Sequence, residues 1–190
     1  MNPAVRQAQS LLLGYPDPVL LQRLPLLRRV ADPHLDRFLD HLERTPLPAL
    51  AADYVATFDH RRRCCLFLTY YTHGDTRNRG MALLRLKQTY AAAGLHLTEE
   101  ELPDHLAVLL EYAAADPGTG LALLEEHRAG LELLRVALHD AGSPWAAVLD
   151  SVSATLSPLP GDQRVAVARL AAQGPPAEQV GLTPYLGASR

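Results

Sequence analysis

Cysteine is almost missing from this chain of 190 residues: there are two, Cys64 and Cys65, and they are adjacent. Neighbouring cysteines rarely reach disulfide geometry, and no spaced zinc pattern exists. They are therefore expected as buried or half-buried reduced thiols of a cytosolic protein. Aromatic residues make up only 6%, and Val, Ile, Phe and Trp are sparse beside Leu and Ala, a balance that favours helix over strand. No strand alternation of useful length and no internal repeat is present. No segment approaches 18 consecutive apolar residues, and MNPAVRQAQSLLLGYP has too short an apolar run for a signal sequence. Export and stable membrane insertion are not expected, and the cytoplasm is. A formal charge of −3 argues against general affinity for nucleic acid.

What is present is enough for a core. Hydrophobic residues are 48% and charged residues 21%, ordinary for a globular protein, and a chain this long buries about 70% of its unfolded surface. The punctuation is that of helices. Pro3 suits a first turn and Gly14 a helix end, while Asp17-Pro18 and Asp32-Pro33 each read as an N-cap followed by a first helical residue. Pro25 predicts a kink or break. Leu35, Phe38, Leu39 and Leu42 share one face.

Further helices are expected over Leu47–Phe58 and about Arg61–Tyr71, then one with Met81, Leu84 and Tyr90 facing the core until Gly94. Thr98 and Glu101 fit a capping box, with a restart at Pro103 and Asp104. Asp116 to Gly120 reads as the clearest break, followed by one long helix over Leu121–Ala141. Ser143-Pro144 caps another helix, and 162–173 is the last. The fold class is all-α: a single-domain bundle of about eight to ten helices over 1–173, with 174–190 a loosely ordered tail.

Chemistry is harder to find. None of the eight histidines forms an i, i+4 pair, so no metal site is expected. Gly74 to Gly80 lacks the G-K-[ST] ending of a phosphate-binding loop, and no G-x-S-x-G elbow occurs. Catalysis has little support. Arg61, Arg62 and Arg63 invite a DNA-reading helix, but consecutive arginines point to different faces, and a solvated rim is the plainer reading. In L-P-D-H-L, Asp104 is a good helix cap, and His105 titrates near neutral pH as a switchable contact.

The segment YVATFDHRRRCCLFLTYYTHGDTRNRGMALLRLKQTYAAAGL, then ELPDHLAVLLEYAA, with LLLGYPD near the N-terminus, resembles the NarJ family, the delta subunits or assembly chaperones of respiratory nitrate reductase. The likeness runs from Ser10 to about Leu138 and weakens after Leu156. The YYTHGDTRNRG run is specific to this branch, and L-P-D-H-L is shared with the TorD and DmsD chaperones. Ala56 departs from the family, which more often has Glu there, so no contact is carried over from it.

The resemblance implies an all-helical chaperone without catalysis or a cofactor of its own. Its client is the catalytic (alpha) subunit of the reductase, bound through its N-terminal segment and held for molybdenum cofactor insertion before membrane docking. Contact with molybdenum cofactor biosynthesis proteins is compatible with that role. A basic and apolar client segment needs an apolar groove with an acidic rim. The candidate client-binding residues are Tyr54, Tyr70, Tyr71, Asp104, His105 and Glu111, beside a signature loop of His73, Gly74, Asp75, Thr76, Arg77, Arg79 and Gly80.

Plainer roles compete. Tyr54, Phe58, Phe67 and Leu68 suit a core, Arg77 and Arg79 can brace the loop through Asp75 or another acid, and Asp59 can cap a helix. The alternative functions are a DNA-binding or signalling regulator and a small helical enzyme.

Overall fold

Four helices begin with the same device, an Asx side chain followed by proline. Asn2, Asp17, Asp32 and Asp116 accept hydrogen bonds from the amides of Ala4, Leu20, Leu35 and Thr119 at 2.6–3.2 Å. Proline at N1 has no amide to leave unpaired, and each such cap stabilises its helix by about 1 kcal/mol. The structure is a computed structural model that describes residues 2–98 and 101–159, with 161, 165, 167 and 168. The expected helix over 162–173 and the expected tail lie largely or wholly outside the described residues.

Among the described residues the chain forms ten α-helices and one isolated antiparallel bridge, so the all-α class stands. They are α1 (Pro3–Leu12), α2 (Pro18–Arg28), α3 (Pro33–Arg44), α4 (Leu47–Tyr54), α5 (Leu68–His73), α6 (Arg77–Ala92), α7 (Leu106–Ala115), α8 (Pro117–Glu126), α9 (Arg128–Asp140) and α10 (Ala146–Ala154). Helix α1 packs on α7 and α10, and α10 packs on α3 and α9. Trp145 sits fully buried at the centre, in ring contact with Phe38, Tyr54 and Phe58 at centroid separations of 5.5–5.6 Å. Its indole donates to the Leu12 carbonyl at 3.2 Å, and the Tyr54 hydroxyl donates to Leu13 at 3.0 Å. Two carbonyls at the end of α1 that no helical amide can reach are thereby satisfied.

Several expected boundaries differ. Helix α2 continues through Pro25 as one element. The expected helix over Leu47–Phe58 turns into a π segment at Val55–Asp59, which sets Phe58 against Trp145. The expected helix over Arg61–Tyr71 is absent: Arg62–Cys64 is a short 3-10 turn, and an extended stretch leads into α5. Its backbone is claimed by the L-P-D-H-L segment, since Leu106 donates to Leu66 at 2.9 Å and Leu68 to Asp104 at 3.0 Å. Asp59 therefore caps no arginine helix.

The expected break at Asp116–Gly120 narrows to one residue: α7 ends at Ala115, Asp116 caps α8, and Pro117–Gly120 already belong to α8, while the helix expected over Leu121–Ala141 bends at His127 into α8 and α9. Beyond the bend Arg128 pairs with Glu132 and donates to Ser153 of α10, both at 3.0 Å, tying α9 to its neighbour. In α6, Leu86 and Tyr90 are buried, but Met81 and Leu84 face outward rather than to the core.

Candidate functional site

The signature loop and L-P-D-H-L meet. Phe67 and His105 form the antiparallel bridge, which brings Asp104 beneath α5 and the start of α6. Asp104 is fully buried. Its Oδ2 accepts from the Thr69 hydroxyl at 2.5 Å and from the Arg79 guanidinium at 3.4 Å. Arg79 also donates to Thr69 at 3.3 Å, pairs with Asp75 at 3.4 Å and lies 5.7 Å over the Phe67 ring. Bracing of the loop by Arg79 is thus observed, through both Asp75 and the more distant Asp104.

The cap of α7 is His105, not Asp104: its Nδ1 accepts from the Ala107 amide at 3.3 Å. Burial pushes the His105 imidazole below its ordinary range, with Asp104 and Glu101 pulling the other way. Capping and burial both favour the neutral ring.

Within the loop, Gly74 ends α5 at φ 58°, a left-handed value that suits glycine, and Thr76 donates to the His73 carbonyl at 2.8 Å. Arg77 begins α6, and Gly80 lies exposed on it. Tyr71 is buried, and its hydroxyl donates to the carbonyls of Arg63 and Cys65, each at 2.9 Å. Gly130 of α9 gives it room, since a Cβ there would come within 3.2 Å of the ring. Tyr70 is half-buried, with its ring edge-on to Tyr71. Tyr54 belongs to the Trp145 cluster, and burial raises its phenol to about 12. Cys64 is buried and Cys65 half-buried, both free thiols.

Glu111 lies elsewhere. It lines a cleft of about 550 Å³ between α1, α7 and the stretch after α6. Apolar walls come from Leu95, Leu97, Val108 and Ala115, and Glu101 and Glu111 supply two carboxylates. Tyr90 and Tyr112 form the floor, their rings 4.5 Å apart. The Tyr90 hydroxyl donates to the Pro103 carbonyl at 2.8 Å, so the residue preceding Asp104 supports the cleft. Of the six candidate client-binding residues, Glu111 lines this cleft and the other five do not. Leu95, Leu97 and Glu101 also line the cleft and are not among the candidate client-binding residues; the apolar pair Leu95 and Leu97 just after Gly94 is the sequence signal that points to them.

Arg61, Arg62 and Arg63 are exposed beside a recess of about 320 Å³ that also involves Asp140. No α-helix presents them, which removes the basis of a DNA-reading helix. Among the described residues, no group of His, Cys, Asp and Glu is arranged to hold a metal ion, and no helix is long and apolar enough to cross a membrane.

The family described as nitrate reductase delta subunit matches residues 25–150. NarJ of Bacillus subtilis (strain 168) is 34% identical over 169 residues, covering 82% of this chain and 92% of that protein. The nitrate reductase molybdenum cofactor assembly chaperone NarJ of Escherichia coli (strain K12) is 36% identical over 153 residues, 74% of this chain and 64% of that one. The nitrate reductase-like protein NarX of Mycobacterium tuberculosis (strain ATCC 25618 / H37Rv) is 40% identical over 156 residues, and the match spans 24% of its length. The crystal structure of a putative redox enzyme maturation protein from Archaeoglobus fulgidus has the same fold, with a TM-score of 0.64 over 78% of this chain and 90% of that one, at 23% identity. The match over residues 25–150, with relatives at 34–40% identity, establishes that this chain belongs to the nitrate reductase delta subunit family.

Proposed function

We propose that the chain is an assembly chaperone that binds the N-terminal segment of the catalytic subunit of respiratory nitrate reductase. It holds the apoprotein for molybdenum cofactor insertion in the cytoplasm, before membrane docking, and has no catalytic activity of its own. The cofactor belongs to the client. Beside the family relationship, one observation carries this reading: an apolar cleft with Glu101 and Glu111 among its lining residues. A short client helix with apolar and basic side chains lays its apolar face on Leu95, Leu97 and Val108, and its cations meet the two carboxylates.

The energetics suit capture and release. Four buried apolar anchors contribute about 6–12 kcal/mol gross. Ordering a peptide costs several of these, leaving up to about −8 kcal/mol, or micromolar affinity. In this arrangement Asp104, Thr69 and Arg79 hold the cleft wall through Pro103 and Tyr90 instead of touching the client. The exposed parts of Tyr70 and His105 lie outside the cleft.

Calorimetry with the client's N-terminal peptide tests the reading. Micromolar binding is expected, weakened about tenfold by Glu111→Lys. An absence of binding, together with failure to recover the catalytic subunit from cells grown on nitrate without oxygen, would overturn it.

A further inference from the structure

Helix α6 begins unfavourably. Over Arg77–Ala92 it carries Arg77, Arg79, Arg85 and Lys87 and no acidic residue. Thr76 makes no side-chain cap bond to it, and two arginines occupy its first turn, where the helix dipole disfavours positive charge. Arg79 is accounted for by Asp75 and Asp104.

The outer face also carries apolar side chains turned to solvent. Met81 is 68% exposed and Leu84 47%. Next to them is Gly80, where an added Cβ would meet nothing within 4 Å. Glycine in an exposed helix interior weakens the helix, and no contact among the described residues requires it there. Single exposed apolar residues are ordinary, but here two lie one turn apart beside bare backbone. Helical spacing puts Arg85 and Lys87 on opposite flanks of the Met81–Leu84 stripe, with Arg77 one turn above it. Arg85 pairs with Glu126 of α8, and Lys87 is exposed.

We infer that the outer face of α6 docks an acidic amphipathic helix of the client, whose apolar side chains cover Gly80, Met81 and Leu84. Its carboxylates face Lys87 and the largely exposed Arg85, which also pairs with Glu126, and the missing Cβ of Gly80 lets the two backbones approach closely. The basic flanks repel the basic N-terminal segment assigned to the cleft, so the two surfaces take client elements of opposite charge. The identity of the partner rests on the client reading above.

A photo-crosslinking side chain at position 84, and separately at position 101 in the cleft, tests this in the purified complex of full chain and apo catalytic subunit. Position 84 is expected to crosslink to an acidic amphipathic helix outside the N-terminal segment, and position 101 to that segment. Met81→Glu weakens the complex about tenfold while leaving the affinity for the N-terminal peptide unchanged. Gly80→Ala raises the melting temperature and weakens the complex. Crosslinks from position 84 that are absent, or that fall on a basic segment, would overturn the inference and leave the cleft reading in place. So would unchanged complex affinity in Met81→Glu. Binding to phosphatidylglycerol vesicles that Met81→Glu abolishes would identify a membrane face instead and also overturn it. Failure of both positions to reach the client would remove the client reading itself.

Discussion

Thr69 donates its hydroxyl to the buried carboxylate of Asp104 at 2.5 Å, across 35 residues of sequence. Together with the Arg79 contact, this joins three elements at one oxygen: α5, α6 and the segment leading into α7. Asp104→Ala removes the acceptor and leaves a guanidinium and a hydroxyl without it. Losing one partner of a buried, charged cluster costs about 3–5 kcal/mol, less where the cation keeps some solvent, and the Arg79 side chain is 20% exposed. The expected loss is about 2–4 kcal/mol, read as a lower urea midpoint. A loss under about 0.5 kcal/mol would mean that the cluster does not hold these elements. Client-peptide affinity in this variant has to be measured well below its unfolding transition, because a binding defect alone would not distinguish contact from collapse.

Gly120 marks a close approach between α7 and α8. A Cβ there would lie 2.3 Å from the Ala113 Cα and 2.5 Å from its Cβ, and backbone cannot swing aside. Gly120→Ala is expected to cost about 2–3 kcal/mol by forcing α7 and α8 apart. Gly130→Ala, which meets the Tyr71 side chain at 3.2 Å, should cost about 1 kcal/mol because a ring can shift by tenths of an ångström. Thermal melts of both variants check the order, and an equal or reversed pair of midpoints would contradict this account of the packing.

Features that depend on near neighbours were legible in the sequence. The Asx-Pro starts at Asp17 and Asp32 are local hydrogen-bond devices, and both are present. The run over Arg61–Tyr71 was not legible, because local helix propensity loses there to pairing between Leu66–Leu68 and Asp104–Leu106. The same applies to α6, where residue spacing names two apolar faces but cannot say which one the bundle covers. Asp104 reads as a cap because Asp before a helix usually is one, and Thr69 and Arg79, which claim it, are far away in sequence. The signature loop and L-P-D-H-L stand apart in the sequence, and their contact is a property of the fold alone.

Tyr54 separates packing from recognition. Its hydroxyl satisfies the Leu13 carbonyl at the end of α1, and its ring packs 5.6 Å from Trp145. Tyr54→Phe keeps the ring and strands a buried carbonyl, so a loss of about 1 kcal/mol is expected in chemical denaturation. Affinity for the N-terminal client peptide should stay within about twofold, a change of roughly 0.4 kcal/mol. A large loss of binding with unchanged stability would instead put Tyr54 in the recognition surface.

His127, at the bend between α8 and α9, gives stability a pH dependence of known sign. It is buried, and its Nε2 has no hydrogen-bond partner among the described residues. Burial lowers its pKa to about 4; Arg85 and His73 push the same way, and Asp104 opposes them. In the unfolded chain the ring titrates near its ordinary 6.5. Between these values the unfolded state binds a proton that the folded state refuses. The stabilisation is therefore complete above about pH 6.5, declines as the pH falls, and is gone below about 4. The gap corresponds to roughly 3 kcal/mol. His105, also held below its ordinary range, adds to the decline with the same sign. Carboxylates add their own acid destabilisation, so the informative quantity is the difference between the parent and His127→Leu in urea titrations from pH 7.5 to 4.5. The leucine variant is expected to lose less stability over that interval. Parallel curves for the two proteins would mean that His127 titrates alike in the folded and unfolded chain.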